Sequence, residues 1–284
     1  MSMPLFSGRT VLITGASRGL GREIAGTFSR HGADVFLVAR SAEPLTALTA
    51  QLGPHAAHLA ADLADPAAPA RIFQALAAFS PRIDILVNNA AIVGPIGALD
   101  ENDWALWQTT IQVNLVAPAA LCRLAIPCMR ARGGGVILNL SGGGATSPRP
   151  FFSAYATAKA GLVRLTETIA AEAGRYGIRA NAIAPGAMNT EMHDAVLRAG
   201  PARAGETEYR RALEQIDTGG TDPVTPAELA VFLASDAAAS ITGRLISAVW
   251  DPWKNLPARA AELTESDVYT LRRIVPQDRG LRWT

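Results

Sequence analysis

Tyr155 and Lys159 are the two residues of this chain whose types and spacing most clearly point to chemistry. Lysine is rare here, since Lys159 and Lys254 are the only lysines among 26 basic side chains. A Tyr-x-x-x-Lys spacing would arise by chance only about 0.03 times in such a chain. On a helix, residues four apart share a face, so the ammonium can lower the phenol pKa from its usual ~10. Such a phenol can exchange a proton with an alcohol oxygen; a surface Tyr–Lys contact without chemistry is the alternative.

A glycine cluster near the N-terminus has the composition of a phosphate-binding turn. Residues 14–21 read Thr-Gly-Ala-Ser-Arg-Gly-Leu-Gly, between an apolar β-branched run and a helical pattern. Glycines at such a point let backbone N–H groups and a helix N-terminus approach a pyrophosphate closely. The sequence therefore predicts dinucleotide binding, against the alternative of a tight turn alone.

The end of the second predicted strand indicates which dinucleotide is preferred. Proteins that bind NAD usually have an acidic residue there, which accepts hydrogen bonds from the ribose 2′-hydroxyl. This chain instead has Arg40 followed by Ser41, and Arg18 lies in the glycine cluster. Two guanidinium groups suit the 2′-phosphate of NADP. We expect NADP(H) to be favoured and NAD(H) to be possible; the alternative is that Arg40 is only solvated.

The composition excludes several other classes of function. The chain has 284 residues, a formal net charge of +1 and 49% hydrophobic residues, without a basic block. It is long enough for a sizeable core, and we expect no nucleic acid partner. Its two cysteines and four scattered histidines fit neither a disulfide framework nor a metal site. No signal peptide or membrane span is predicted, so we expect a cytoplasmic protein.

Predicted strands alternate with predicted helices along the chain. This order indicates an α/β fold, a doubly wound parallel sheet of the Rossmann type with helices on both faces. We expect one catalytic domain over residues 1–253, with a lid at about 188–226. Residues 254–284 form a charged tail, which we expect to pack on the domain or on a neighbouring subunit. The seven predicted strands are 10–14, 34–39, 55–61, 83–87, 135–140, 178–184 and 245–250.

Together these motifs resemble the short-chain dehydrogenase/reductase family, in its short single-domain form, over about residues 6–250. The family's Thr-Gly-x-x-x-Gly-x-Gly pattern is matched at residues 14–21, and its Pro-Gly-x-x-x-Thr pattern at residues 185–190. Its Asn-Asn-Ala-Gly pattern appears at residues 88–91, where Ala91 replaces the last glycine. The resemblance implies that the protein interconverts a carbonyl and an alcohol with NAD(P)(H).

The resemblance also implies a catalytic group, made of Asn114, Ser141, Tyr155 and Lys159. Tyr155 would be the general acid or base, and Ser141 would hydrogen-bond the same substrate oxygen. Lys159 would lower the Tyr155 pKa and hold the nicotinamide ribose, while Asn114 would position a water that links Lys159 to solvent. The implied cofactor contacts are Gly15, Ser17, Arg18, Gly19, Leu20, Gly21, Arg40, Asp62, Leu63, Asn89, Ala90, Tyr155, Lys159, Pro185, Gly186, Met188 and Thr190.

The substrate is left open by the sequence. Reduction of a 3-oxoacyl thioester is one specific form of the reaction, and sugar, polyol, steroid or quinone substrates are alternatives. A non-catalytic dinucleotide sensor or scaffold of the same fold is the competing function. The resemblance further implies a homodimer or homotetramer. Where relatives have Val-Asp-Gly-Gly, this chain has Trp250-Asp-Pro-Trp253, and we expect one of these tryptophans to contact a neighbouring subunit or close the pocket.

Overall fold

The computed structural model describes residues 4–283, and seven parallel strands form one sheet in this range. The strand order is β3-β2-β1-β4-β5-β6-β7. The predicted doubly wound fold with seven strands is therefore confirmed, although the fourth strand begins two residues late and the seventh ends three residues early. The strands are β1 Thr10–Thr14, β2 Asp34–Ala39, β3 Ala56–Ala60, β4 Ile85–Asn88, β5 Gly135–Leu140, β6 Ile178–Ala184 and β7 Leu245–Ser247.

Helices cover both faces of the sheet, which explains why the central strands are almost entirely apolar. Val11 and Ile13 of β1 are buried with Phe28 on one face, whereas Leu12 is buried with Leu121 on the other. The α-helices are α1 Gly19–Arg30, α2 Ala42–Leu52, α3 Ala68–Phe79, α4 Trp104–Ile111, α5 Ala117–Ala131, α6 Ser153–Ala173, α7 Glu191–Ala204, α8 Glu206–Thr218, α9 Val224–Ala234 and α10 Ala260–Glu265.

The strand order reverses between β1 and β4, and this reversal positions the site. From β1 the chain continues outwards to β2 and β3, then crosses to β4 on the other side of β1. Ligands of open α/β sheets bind in the crevice beyond the carboxyl ends of the strands at such a reversal. The glycine cluster follows β1 and the Asn88–Ala91 segment follows β4, so both predicted motifs lie at this crevice.

The long helical stretch that separates β4 from β5 is not a single α-helix. A π-helical segment, Gln112–Val116, lies between α4 and α5. Pro118 in the first turn of α5 has no N–H to donate, which favours a rearranged backbone here. By length and mean hydropathy, 1.5, the stretch Trp104–Ala131 could cross a membrane. In this fold Leu121, Ala125 and other residues of α5 are buried against the sheet, and this packing accounts for its apolar composition.

The tail beyond β7 returns to the domain. Trp253 is 7% exposed, its Nε1 donates to the Ala248 carbonyl at 3.1 Å, and its ring packs 5.2 Å from that of Phe232. Leu245 N of β7 donates to the Tyr269 carbonyl at 2.8 Å, so the tail covers the outer edge of the sheet. Trp253 is thus an intramolecular anchor of the tail, whereas Trp250 is 82% exposed. Of the two tryptophans, Trp250 is therefore the one whose side chain is available for contact with a neighbouring subunit.

Candidate active site

Tyr155 and Lys159 lie on the buried face of α6, as the spacing of four predicts. This face is otherwise made of small and apolar residues, including Ala154, Ala158 and Leu162, and it packs against the sheet. Tyr155 is 5% exposed and Lys159 only 2%. The alternative of a surface Tyr–Lys contact is therefore wrong.

The end of β5 meets this face and brings Ser141 beside both side chains. Lys159 Nζ donates to the Leu140 carbonyl at 2.6 Å. On the other side of Ser141, a Cβ added to Gly142 would lie only 2.3 Å from the Tyr155 phenol oxygen. The buried Ser141 Oγ has no hydrogen-bond partner among residues 4–283. A hydroxyl in this position can bond to an oxygen that binds next to Tyr155, because no protein group competes for it.

Burial dominates the electrostatics of Tyr155 and Lys159. It raises the pKa of the Tyr155 phenol to about 12, and the cation that acts in the opposite direction is Arg149. Burial also lowers the pKa of Lys159 to about 8. The prediction that Lys159 lowers the Tyr155 pKa is therefore not met in this structure, because desolvation of the phenolate outweighs the attraction of nearby charge.

Asn114 lies in the π-helical segment and is completely buried. Its Oδ1 accepts from Ile92 N at 2.9 Å, and its Nδ2 donates to the Ile92 carbonyl at 2.8 Å. Leu115 packs closely against α6: a Cβ added to Gly161 of that helix would lie only 2.9 Å from Leu115 Cδ2. The segment thus fastens the loop that follows β4 next to the helix that carries Lys159. The water that Asn114 is predicted to hold stays a prediction.

The glycine cluster packs tightly against the segment after β4. A Cβ added to Gly21 would lie 2.2 Å from the Gly15 carbonyl oxygen and 2.5 Å from Asn89 Nδ2. Asn89 Nδ2 itself donates to the carbonyl oxygens of Thr14 and Gly15, at 3.0 and 3.2 Å. Gly19, by contrast, has φ +51° and would point a Cβ into open space. The loop is thus closed on its protein side and open at the N-terminus of α1, which fits a diphosphate.

Other predicted cofactor residues follow the ends of β2 and β3 or lie in the glycine cluster and in the segment after β6. Arg40 is exposed at the end of β2, whereas Arg18 forms an ion pair with Glu191 at the start of α7. Asp62 Oδ1 accepts from Ala64 N at 2.9 Å. A groove of about 270 Å³ separates the glycine cluster from the lid, and it is lined by Gly19, Leu20, Met188, Thr190 and the start of the segment before α9.

Comparison with known proteins agrees with this geometry. Residues 9–199 match the family model described as short chain dehydrogenase. The chain belongs to the short-chain dehydrogenase/reductase family. Its members are oxidoreductases, which confirms the coarse prediction of an enzyme acting on a CH–OH or C=O group.

Similar members of the family have been named for different substrates. The D-threitol dehydrogenase of Mycolicibacterium smegmatis is 37% identical over 83% of this chain and 89% of its own. The 3-oxoacyl (acyl-carrier-protein) reductase FabG of Escherichia coli is 33% identical over 85% and 96%. A solved structure from Beutenbergia cavernae, described as a candidate NAD(P)-dependent gluconate 5-dehydrogenase with NADP at low occupancy, superposes with a TM-score of 0.75. It is 32% identical and covers 86% of this chain and 97% of its own.

The region predicted to be a lid, residues 188–226, contains the helices α7 and α8, and residues of both helices belong to the same apolar cluster as Tyr155. Val196, Ala204 and Ala212 of these helices pack with Phe152 and Tyr155 in one small apolar cluster. Gly200 interrupts α7 with φ +70°, and Gly205, with φ +79°, separates the two helices. Glycines thus join the helical pieces of this region, and its role as a lid stays a prediction.

Three residues near Tyr155 were not predicted from the sequence. Gly142 follows Ser141 and lies against the phenol, and the Gly142–Gly144 run could have indicated a close backbone approach. Arg149 and its partner Glu208 are the others. A lone arginine six residues before Tyr155 gave a weak signal, and nothing in the sequence paired it with a glutamate 59 positions later.

Proposed function

We propose that this protein interconverts a carbonyl and an alcohol with NAD(P)(H), that NADP(H) is favoured, and that Tyr155 is the general acid or base. The observation that carries the proposal is the buried Ser141 hydroxyl, which has no partner in the described chain and precedes Gly142, the residue against the Tyr155 phenol. A substrate oxygen bound between the hydroxyl and the phenol would accept a hydrogen bond from each. Two donors aimed at one point are what a developing alkoxide requires.

Each residue then has a chemical task. The nicotinamide, when bound, supplies the hydride in reduction and accepts it in oxidation. Tyr155 donates its proton to the substrate oxygen as negative charge develops there, and Ser141 stabilises the same charge. Lys159, held by the Leu140 carbonyl, places a positive charge near the phenol and favours its ionised form after proton transfer. The buried position of all three excludes water, which strengthens these interactions.

The residues of the crevice fit the dinucleotide. Gly15 and Gly21 close the loop against Asn89, and Gly19 leaves the N-terminus of α1 open to a diphosphate. The first turn of α1 has no acidic residue that would repel it. Arg40 is exposed at the end of β2, and its charge supports a preference for the 2′-phosphate of NADP(H).

The substrate class and the assembly are part of the proposal. Relatives named for a tetritol, for a 3-oxoacyl thioester and for gluconate share this fold, so 3-oxoacyl reduction is one candidate among several. The cytoplasmic location and the homodimer or homotetramer that the family resemblance implies stay predictions. So does the division into a domain over residues 1–253 and a tail, of which residues 1–3 and 284 lie outside the described chain.

The test is consumption of NADPH or NADH against a panel of carbonyl compounds. The panel contains acyl thioesters, sugar ketones, quinones, steroids, oxo acids and simple aldehydes. We expect turnover of one class with NADPH preferred, and a loss of at least about a hundredfold in kcat for Tyr155→Phe. The variant should still bind NADPH almost as tightly as the wild type, as measured by fluorescence titration.

Two outcomes would contradict the proposal. If Tyr155→Phe kept more than about a tenth of the rate, Tyr155 would not be the acid. If NADPH bound tightly but no carbonyl in the panel, and no alcohol in the reverse direction, reacted, the non-catalytic sensor or scaffold would be the better description of this chain.

A further inference from the structure

A second cation, Arg149, lies beside Tyr155 on the loop between β5 and α6. Its guanidinium carbon is 4.0 Å from the ring centre of Phe152 and 5.9 Å from that of Tyr155. Its Nε and Nη2 both donate to Oε2 of Glu208, at 2.9 and 2.7 Å. The two side chains are only 19% and 20% exposed. Glu208 of α8 is therefore the partner of the cation that lies beside the proposed acid.

The two partners of this ion pair differ in whether each has a second oppositely charged partner. Oε1 of Glu208 also accepts from Nη1 of the exposed Arg211 at 3.2 Å, so Glu208 keeps a cation. Arg149 has no second acidic partner within residues 4–283. If Glu208 moves away, the guanidinium of this partly buried arginine becomes available to another anion.

Tyr155 is only 5% exposed and belongs to the same small apolar cluster as Val196 of α7 and Ala212 of α8. We therefore expect a substrate oxygen to reach the phenol when these helices shift, and that shift would separate Glu208 from Arg149. Glycines with positive φ lie at both ends of α8, Gly205 at one end and Gly219 with Gly220 at the other. The loop and the lid also meet where the ring of Phe151, itself at φ +68°, lies 2.8 Å from a Cβ added to Gly205.

We propose that Arg149 determines the substrate class by binding a carboxylate of the carbonyl substrate, in the position that the Glu208 carboxylate holds in this structure. The proposal rests on the proposed function, because it takes the substrate oxygen to bind at Ser141 and Tyr155. The distance from the guanidinium to the Tyr155 ring suits an oxo acid whose two functional groups are a few carbons apart. A planar guanidinium matches a carboxylate better than an ammonium would.

The experiment compares 3-oxo and 4-oxo acids of four to six carbons with their methyl esters, as kcat/KM with NADPH. We expect the wild type to prefer each acid by roughly ten- to a hundredfold, the usual strength of a hydrogen bond to a charged group. In Arg149→Met this acid-to-ester ratio should fall to about one. In Glu208→Gln the competing carboxylate is gone, so KM for the acid should fall. Glu206→Gln, which alters the exposed Glu206–Arg210 pair on the same helix, should leave the ratio unchanged.

The proposal predicts that Arg149→Met weakens binding of the acid and that Glu208→Gln strengthens it. These opposite effects distinguish substrate binding from a purely structural role. A purely structural ion pair would be damaged alike by Arg149→Met and Glu208→Gln, and KM for the acid would then rise in both. That result, or an acid-to-ester ratio that Arg149→Met does not change, would overturn the proposal. If Arg149→Met does not fold, the double variant Arg149→Met/Glu208→Gln, which removes both charges, is measured in its place.

Calorimetry keeps the proposal testable if catalysis itself is not found. Titration of acetoacetate and of 4-oxopentanoate into the NADP⁺-saturated wild type and Arg149→Met measures anion binding without turnover. Binding to the wild type that the variant loses supports Arg149 even if the panel shows no reaction. Equal binding to the two proteins, or binding to neither, overturns the proposal for Arg149. Turnover of neutral carbonyls alone would leave the proposed function intact and would exclude only the role of Arg149.

Discussion

The Lys159 ammonium donates a 2.6 Å hydrogen bond to the carbonyl of Leu140, the residue that precedes Ser141. This bond joins the buried face of α6 to the end of β5. It fixes the lysine side chain beside the end of β5, where Ser141 is followed by Gly142, whose Cα lies against the Tyr155 phenol. Burial of the ammonium also destabilises its charged form, because one backbone carbonyl replaces the water that would otherwise surround it.

The stability of the ligand-free protein should rise with pH because of Lys159. Its pKa is about 8 in the folded chain and near 10.5 when unfolded. Between these values the unfolded chain binds more protons, so folding becomes more favourable as pH rises. We expect the free energy of unfolding of the wild type to gain about 3 kcal/mol relative to Lys159→Met between pH 8 and 10.5. Urea titrations measure it; Lys254→Met is the control, and parallel curves would contradict the prediction.

Arg40→Asp should reverse the cofactor preference. An acidic residue at the end of β2 would repel a 2′-phosphate and accept hydrogen bonds from a 2′-hydroxyl. We expect the ratio of kcat/KM for NADPH over NADH to fall by roughly tenfold or more. Arg123→Asp makes the same charge change at an exposed position of α5 and should leave the ratio unchanged. If Arg40→Asp also leaves it unchanged, another residue holds the phosphate.

Glu191→Gln should tighten the binding of NADPH more than that of NADH. Arg18 is paired with Glu191 in the ligand-free chain, and both side chains are exposed. An exposed ion pair contributes only about 0.2–1 kcal/mol, so its removal should lower the Kd of NADPH no more than about fivefold. Fluorescence titration of both cofactors measures the difference. An equal change for NADPH and NADH would mean that Arg18 does not contact the 2′-phosphate.

Two glycines of the cluster should respond to alanine in different ways. In Gly21→Ala the new Cβ meets the Gly15 carbonyl oxygen at 2.2 Å, so the backbone must shift and the protein should lose stability. In Gly19→Ala the Cβ meets nothing within 4 Å, and only the positive φ of +51° costs about 1 kcal/mol. The Gly19 variant should fold and lose NADPH affinity. Thermal unfolding with and without NADPH separates the two effects, and equal loss of stability would refute the assignment.

The two tryptophans after β7 should also differ. Trp253 is buried between the tail and α9, so Trp253→Ala should cost roughly 3–5 kcal/mol in the free energy of unfolding. Trp250 is almost fully exposed, and Trp250→Ala should change this free energy by less than about 0.5 kcal/mol. Urea unfolding measures both. Sedimentation of Trp250→Ala tests whether Trp250 contacts a second subunit, and an unchanged mass would remove that role.

The sequence by itself determined the local part of this protein. Strand and helix periodicity specified the sheet, because a strand buried on both faces has to be apolar along its length, as in β1. The glycine cluster and the Tyr155–Lys159 spacing predicted their own positions, since each motif acts through residues that are neighbours on one turn or one helix face. Those relationships extend over a few residues and need no distant partner.

Tertiary structure alone decided the relationships between distant parts of the chain. Burial raised the pKa of Tyr155 although a lysine lies one turn away, because desolvation depends on everything packed around the phenol. The pairing of Arg149 with Glu208 and of Arg18 with Glu191 arises where α7 and α8 fold back over the sheet. The sequence cannot specify such contacts, because a charged residue carries no local mark of the partner that the fold will bring to it.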